Sequence, residues 1–269
     1  MSLGVLNNIS AVYAENNLSQ TQSSLQKTLQ QLSSGSRINS GADDAAGLSL
    51  ANGLQASSAA LSQSAKNASE GVDFLQVADG ALSQVTSLLN RAVTLATEAS
   101  NGVLNTSQAS AADAEYQQIL TEIGNIDTNT EYNGINVFSN AANIFTSDGT
   151  LNQTDSATAL GSVVTTVNLS GDLTSTANAT TELAAITTAI GAIASERGTA
   201  GAQINTLQAV SNVMGTESTN TLSAENDVIA TDYGQATSDM SKYQILMQTG
   251  IAALAQANSS QQLVTKLLQ

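Results

Sequence analysis

Residues 240–268 read MSKYQILMQTGIAALAQANSSQQLVTKLL and show helical periodicity over their whole length. Apolar or small residues recur in it at alternating spacings of three and four, which is the pattern of a coiled-coil seam. The seam consists of Met240, Tyr243, Met247, Gly250, Leu254, Ala257, Gln261, Val264 and Leu268. A second apolar stripe beside it consists of Ile245, Ile251, Leu263 and Leu267. One partner helix could not cover both stripes, so this helix is expected to have more than one neighbour.

The other end of the chain carries a matching pattern. The apolar residues that keep the same seven-residue phase are Leu18, Leu25, Leu29 and Leu32. The helical pattern runs from about Asn7 to Ser33, and Gly35 fits a C-cap. The sequence therefore predicts that the two ends of the chain meet in a coiled coil.

The composition favours thin helical layers over a thick globular core. Hydrophobic residues make up 41% of the chain, but aromatic residues only 3%, and Trp is absent. The absence of Pro permits helices far longer than three or four turns. The absence of Cys excludes disulfides and thiolate metal sites.

The chain is strongly acidic. Seven Lys and Arg against 22 Asp and Glu give a net charge of −15, which argues against nucleic acid or anionic membranes as partners. If copies of the chain associate, this charge must be screened. The Debye length is about 8 Å at physiological salt, so added salt is expected to strengthen self-association.

No targeting or membrane signal is visible. The N-terminus lacks the basic start and apolar run of a signal peptide, and nowhere do 18 apolar residues follow one another. Composition alone therefore predicts a cytoplasmic protein.

Long helices are predicted between the two ends. After a Ser- and Gly-rich linker at 33–47, one helix runs to about Ser100 and a second from about Ser107 to Thr128. These two can form an antiparallel hairpin. Helical periodicity returns from about Thr180 to Met214, and a polar stretch then precedes the C-terminal seam.

Three residues in that later helical segment break its pattern. Arg197 lies on the apolar stripe, where an uncharged residue is expected. Gly198 and Gly201 cost about 1 kcal/mol each in helix propensity, so close packing or a local irregularity is expected there.

The middle of the chain changes to short β-like runs between Ile135 and about Leu173, including residues 162–169. The fold class is thus mainly α, a long-helix coiled-coil rod built from both chain ends with a small β-hairpin region at about 135–175. The predicted domains are residues 1–42 with 228–269, a terminal helical coiled-coil domain, and residues 43–227, a rod domain.

Few residues point to chemistry. Asp43 and Asp44 are the adjacent carboxylates, and acids favoured by a helix N-terminus explain them better than a metal site or an acid–base pair. Without His or Cys the usual triads and thiol nucleophiles are absent, so neither an enzyme nor a cofactor is predicted. A generic acidic coiled-coil protein is a further alternative.

Five short motifs resemble those of bacterial flagellins. At the N-terminal side they are SSGSRINS at 33–40, DDAAG at 43–47 and NASEG at 67–71. At the C-terminal side they are QILMQTG at 244–250 and LAQAN at 254–258. The resemblance covers roughly residues 1–140 and 180–269, so the chain resembles a minimal flagellin without the large outer domains.

The resemblance implies a structural subunit that self-polymerises into the bacterial flagellar filament for motility. Helix pairs of 30 to 40 residues bury too little to be stable alone, so both ends are expected to be disordered in the monomer and to fold on assembly. The residues expected to pack in the filament core are Leu18, Leu25, Leu29, Leu32, Met240, Tyr243, Met247, Leu254, Val264 and Leu268. The alternative within the family is a hook–filament junction protein, which long homopolymers would exclude.

The family also implies partners and an extracellular location. Flagellins leave through the flagellar type III export apparatus without a cleaved signal, with the help of a chaperone, a filament cap and hook-junction proteins. The apolar positions for chaperone binding are Leu246, Leu254, Leu263 and Leu267. Arg91, Leu95 and Glu115 match residue types at which Toll-like receptor 5 recognises flagellins, and the alternative is that they are ordinary surface or filament contacts.

Overall fold

The computed structural model describes residues 8–139, 142–146, 154–157 and 169–267. Within these ranges the chain forms five helices, α1 (Ile9–Ser34), α2 (Ala45–Ala99), α3 (Thr106–Asn129), α4 (Thr176–Ile229) and α5 (Tyr233–Leu267). Four short strands lie between α3 and α4: β1 (Glu131–Tyr132), β2 (Ile135–Asn136), β3 (Ala142–Phe145) and β4 (Thr154–Ala157). The predicted mainly α fold with long helices and a small β region in the middle is confirmed.

The length of the helices follows from the absence of Pro. Helix α2 has 55 residues and α4 has 54. Helix α4 continues without interruption past Gly198 and Gly201, and a Cβ added at either glycine would meet no atom within 4 Å. The expected close packing or irregularity at these glycines was therefore wrong.

The polar stretch after Gly215 is also helical, which corrects the prediction that the helix ends near Met214. Thr216 and Thr219 each donate a hydrogen bond from the side-chain hydroxyl to the carbonyl one turn earlier. Polar residues cost only a few tenths of a kcal/mol each in a helix, so without Pro they do not end it.

Asn residues cap the N-terminal ends of α1 and α3, and a Gly ends α1. The side chain of Asn8 accepts a hydrogen bond from the Ala11 amide at the start of α1. Gly35 ends α1 with a φ of 71°, and its amide donates to Gln31 O, which confirms the predicted C-cap. Asn105 and Gln108 form a reciprocal capping box at the start of α3.

The chain divides into two compact units. The terminal unit comprises Met1–Ala56 and Thr221–Gln269, and the middle unit comprises Ser57–Asn220. The helices α2 and α4 contribute to both units. The domain limits predicted from the sequence, at 42/43 and 227/228, differ from this division and stay a prediction.

The middle unit has a continuous hydrophobic core formed by α2, α3 and α4. Its largest fully buried side chains are Leu75, Leu82, Val85, Leu89, Tyr116, Val137, Phe138, Leu173, Ile186 and Ile193. On α2, Ala78 and Leu82 face this core, whereas Val77 is exposed. The hydroxyls of Ser58 and Ser218 bond each other's backbone carbonyls, which joins α2 to α4 within this unit.

Two antiparallel hairpins lie in the middle unit. In the first, β1 pairs with β2 across Asn133 and Gly134, whose φ angles of 52° and 76° are those of a type I′ turn. The prediction placed the first strand after this turn, but Glu131 and Tyr132 before it are already paired. In the second hairpin, β3 pairs with β4. The predicted run at 162–169 lies outside the described residues except for Leu169.

Candidate interaction surfaces

In the terminal unit, α1 and α5 pack against each other in antiparallel orientation. Asn8 Nδ2 donates to Ala257 O at 3.1 Å near one end of the pair, and the amide of Thr231 donates to Gly35 O at 3.0 Å near the other. Between them, Leu18 lies against Gly250, where an added Cβ would be 3.3 Å from the Leu18 Cδ1 atom. The two ends of the chain therefore meet, as the sequence predicts.

The seam of α5 lies where its spacing predicts. Its partly buried residues in this stretch are Met240, Tyr243, Met247, Gly250, Leu254, Ala257 and Gln261. Val264 lies in α5 without a described side-chain environment, as does Leu267, and Leu268 lies outside the described residues.

The matching face of α1 differs from the prediction at one residue. Leu25 is buried, and Leu18 and Leu32 are partly buried, but Leu29 is 45% exposed. Thr28 is buried in its place and donates its hydroxyl to Ser24 O. Spacings of seven place Leu18, Leu25 and Leu32 in register, whereas Leu29, four residues after Leu25, lies beside them at the exposed edge of the same face. Its expected position in the seam with α5 was wrong.

Both helices also carry large apolar side chains that nothing within the unit covers. These side chains are between 43% and 67% exposed, and we call them the outer apolar face. They are Ile9, Val12, Tyr13 and Leu29 of α1 and Ile245, Leu246, Ile251 and Leu263 of α5. Large apolar side chains left exposed in such number are typical of an interaction surface. Of the residues proposed for chaperone binding, Leu246 and Leu263 thus belong to the outer apolar face, and Leu254 lies in the seam.

Charged residues are sparse on these two helices. Helix α1 contains Glu15 and Lys27, and α5 contains Asp239, Lys242 and Lys266. The terminal helices therefore combine exposed apolar side chains with little charge to oppose close approach of another copy.

The linker between α1 and α2 is held by Asp43. Its Oδ1 lies 2.7 Å from Lys27 Nζ, and its Oδ2 accepts hydrogen bonds from the amides of Asn39 and Ser40 and from the Ser40 hydroxyl. The Lys27 ammonium and these donors lower the pKa of the Asp43 carboxyl from 3.8 to about 2. Asp44 accepts from the Gly47 amide at the start of α2. Both carboxylates thus stabilise the local structure.

The same linker is paired with the end of α4 within the terminal unit. Ser36 forms an antiparallel bridge with Ala230, and the amide of Arg37 donates to Ile229 O. The Arg37 guanidinium donates to Val228 O at 2.8 Å. Spacing in the sequence did not indicate this pairing.

The three residues compared with a receptor epitope have different environments. Arg91 and Glu115 form a bidentate ion pair, with distances of 2.7 and 2.9 Å, on exposed sides of α2 and α3. The pair raises the pKa of Arg91 and lowers that of Glu115. Leu95 is 3% exposed and belongs to the core. The Arg91–Glu115 pair is therefore exposed, whereas Leu95 is not.

Two polar pairs in the middle unit were not predicted. Arg197 Nε donates to Asp79 Oδ1 at 2.7 Å, which explains a cation on an apolar stripe: its partner is on α2. The buried Tyr116 donates its hydroxyl to Glu182 Oε2 at 2.8 Å. Burial and the Glu182 carboxylate raise the pKa of Tyr116 above its ordinary value of 10.0. The sequence indicated only the first pair, through the position of Arg197 on an apolar stripe.

The described ranges contain neither a metal cluster nor a membrane span. No three His, Cys, Asp or Glu residues there come together in a way that could hold a metal ion. None of the described helices combines the length and apolar character required to cross a bilayer.

Comparison with known families and proteins gave consistent matches. The model of the bacterial flagellin N-terminal helical region matches residues 5–143, and that of the C-terminal helical region matches residues 183–268. The chain is 31% identical to a flagellin of Listeria innocua and 30% identical to a flagellin of Halalkalibacterium halodurans, in each case over 97% of this chain and 98% of the relative.

Two further matches concern a filament and a solved structure. The chain is 29% identical to the flagellar filament 30.7 kDa core protein of Treponema maltophilum, over 97% of this chain and 98% of that protein. The crystal structure of Bacillus cereus flagellin matches with a TM-score of 0.52 and 29% identity, over 60% of this chain and 94% of that one.

Paired terminal helices with exposed apolar side chains define a long-helix protein with a surface suited to self-association. The two family models together match most of the chain, residues 5–143 and 183–268. The chain belongs to the bacterial flagellin family, and its function is that of a structural subunit of the flagellar filament.

Proposed function

We propose that copies of this chain polymerise through the outer apolar face, and that α1 and α5 complete their folding only when neighbouring copies cover it. The observation that carries the proposal is the exposure of Ile245, Ile251 and Leu263 beside a seam that is itself only partly buried. No observation favours the alternative of a hook–filament junction protein.

The energetic argument concerns how much two helices can bury. Among the described residues of the terminal unit, the buried apolar side chains are Leu25, Ile38, Ala51 and Ala236. Most of the stability of a helix in a protein comes from packing of its apolar face. With the outer apolar face in water, the α1–α5 pair gains little to offset the conformational entropy of ordering both helices. Neighbouring copies would supply the missing burial, which makes folding and assembly one cooperative event.

The net charge of the whole chain, −15, supports a dependence on salt. Net charge works against association of identical chains, while the apolar face favours it. Screening reduces the repulsion but leaves the apolar contact intact, so polymerisation is expected to strengthen as salt is added.

Ile251→Ala tests the proposed contact. Burying an Ile side chain stabilises by about 1.5–3 kcal/mol, and each 1.4 kcal/mol is a factor of ten in an equilibrium constant. We expect the concentration needed for polymerisation, measured by sedimentation after seeding, to rise about tenfold. The unfolding midpoint of the soluble protein should stay unchanged, because Ile251 is exposed there.

Val213→Ala provides the matched control. Val213 is a similarly exposed apolar residue, but it lies in the middle unit, outside the outer apolar face. Its variant should polymerise like the unmodified chain. The proposal fails if the two variants behave alike.

Partners and location follow from the same proposal. An exposed apolar helix needs cover before assembly, and α5 with Leu246, Leu254, Leu263 and Leu267 fits the groove of an export chaperone. The filament would be extracellular and its subunits exported without a cleaved signal peptide, to assemble with a cap and hook-junction proteins. Recognition by Toll-like receptor 5 would use the exposed Arg91–Glu115 pair.

A further inference from the structure

A groove of about 300 Å³ lies in the middle unit between α2 and the two hairpins. Its walls come from one side of α2, from the turn of the first hairpin and from β3. The lining residues are Asn67, Glu70, Gly71, Phe74, Tyr132, Asn133, Ile135, Asn143, Ile144 and Phe145. We call it the hairpin groove. Its volume is at the lower end of the range of small-ligand sites.

The walls are held together by packed side chains and a hydrogen bond. Phe74 and Tyr132 meet edge to face with ring centroids 6.2 Å apart. Ile144 covers Gly71 so closely that no Cβ would fit there, and Asn67 Nδ2 donates to Phe145 O at 2.9 Å. These contacts fix β3 on α2. The groove is thus formed by packed side chains and hydrogen bonds rather than by an open loop.

Two polar groups of the groove have no partner within the described parts of the chain. The Glu70 carboxylate forms neither a hydrogen bond nor an ion pair there, and neither does the Tyr132 hydroxyl. Lys66 lies one turn before Glu70 on α2 and yet does not pair with it. A Lys that precedes a Glu by four residues is the less favourable orientation of such a pair.

The apolar rim is also exposed. Ile135 and Phe145 flank the groove and are each about half exposed, at 47% and 50%. Within the described part of the middle unit, the hairpin groove thus combines the Phe74–Tyr132 aromatic pair with the Glu70 carboxylate. Its apolar rim, Ile135 and Phe145, is exposed.

We propose that the hairpin groove binds the side chain of an arginine or lysine that a partner protein presents. The methylene stem of such a side chain would lie on Phe74 and Ile135, and its cationic group would reach Glu70 and the faces of the aromatic rings. Charge complementarity selects this occupant. Within Ser57–Asn220 the basic residues are Lys66, Arg91 and Arg197, two of which are already paired, against a large excess of acidic residues.

The test titrates n-butylguanidinium into the full chain under conditions that keep it soluble, at constant ionic strength, and follows backbone amide shifts by NMR. Saturable shifts are expected in residues 67–74, 132–135 and 143–145. Guanidinium without the stem and n-butanol without the charge serve as comparison probes. Each should bind about tenfold more weakly, because each lacks one of the two interactions.

Glu70→Gln and Glu217→Gln separate the site from general electrostatics. Glu70 and Glu217 are both exposed residues of the middle unit, so both variants remove the same charge. We expect Glu70→Gln to weaken n-butylguanidinium binding about two- to fivefold and Glu217→Gln to leave it unchanged. Equal effects of the two variants, shifts elsewhere in the chain, or equal binding of n-butanol would each overturn the proposal.

Discussion

The middle unit and the terminal unit are built from helices of the same periodicity, but only the middle unit completes a core by itself. In the described residues, each of the ten largest fully buried side chains belongs to the middle unit. There, α2, α3 and α4 cover one another's apolar faces. In the terminal unit α1 and α5 cover one face each and leave the outer apolar face in water.

This difference teaches that a helical pattern in a sequence does not state how many partners the helix finds within its own chain. Two helices bury one stripe each, whereas three can enclose a core. A helix that has more apolar stripes than its own chain has helices to cover them is expected to bind another copy of the chain. The second stripe of α5 indicates this, and it is visible in the spacing of Ile245, Ile251 and Leu263 alone.

The largest expected effect compares one leucine in each unit. Leu89 is fully buried in the middle unit, and Leu263 is 61% exposed in the terminal unit. Leu89→Ala should lower the free energy of unfolding by about 2–5 kcal/mol, since it removes a packed side chain and leaves a cavity. Leu263→Ala should change it by less than about 0.5 kcal/mol. Urea unfolding of the soluble full chain measures both, and similar losses would contradict the comparison.

A smaller effect is expected from the buried hydroxyl of the middle unit. Tyr116→Phe removes the hydrogen bond to Glu182 and should cost about 1–2 kcal/mol at neutral pH. Tyr132→Phe is the control, because the Tyr132 hydroxyl has no partner in the described residues.

The pH dependence of the same residue sharpens the test. The folded state raises the pKa of Tyr116 above its ordinary value of 10.0, so it favours the neutral phenol. The stability from this preference is fully present below pH 10.0 and is lost as the pH rises above it. Thermal unfolding of the unmodified chain should therefore show an extra alkaline loss that Tyr116→Phe lacks. Identical alkaline profiles would contradict this assignment.

The smallest effect concerns the linker of the terminal unit. Asp43 should titrate at about 2 in the folded chain, against an ordinary value of 3.8, since Lys27 stabilises its charged form. The stability it contributes is present above pH 3.8 and is lost as the pH falls towards 2. In Lys27→Gln the pKa should move up towards 3.8. Carbon chemical shifts of the Asp43 carboxyl in the polymer, where α1 is expected to be ordered, measure both values, and an unchanged pKa in the variant would contradict the Lys27–Asp43 contact.

Much of the fold could be predicted from the sequence because its main signals are local. Spacing alone located the α5 seam, the absence of Pro predicted the long helices, and Gly35 marked the end of α1. The predictions were wrong where the same local pattern is compatible with two structures. Leu29 is close in spacing to the seam residues, and only the packed helix pair shows that Thr28 takes its place. The polar stretch after Gly215 resembles a linker in composition, yet nothing in it breaks a helix.

The polar contacts could not be predicted, because they join residues far apart in the chain. Arg197 signalled that a partner was needed, but its identity as Asp79 depends on the register of α4 on α2. The hydrogen bond between Tyr116 and Glu182 depends in the same way on how the helices pack against each other. So does the hairpin groove. A single sequence contains no information on such a register.

Hydrogen exchange of the full chain, measured by mass spectrometry before and after polymerisation, tests the central claim most directly. Peptides from α1 and α5 should exchange rapidly in the soluble protein and become protected in the polymer, while peptides around Leu89 and Ile186 should be protected in both. Strong protection of α1 and α5 already in the soluble protein would contradict it, because the terminal unit would then be stable without its neighbours.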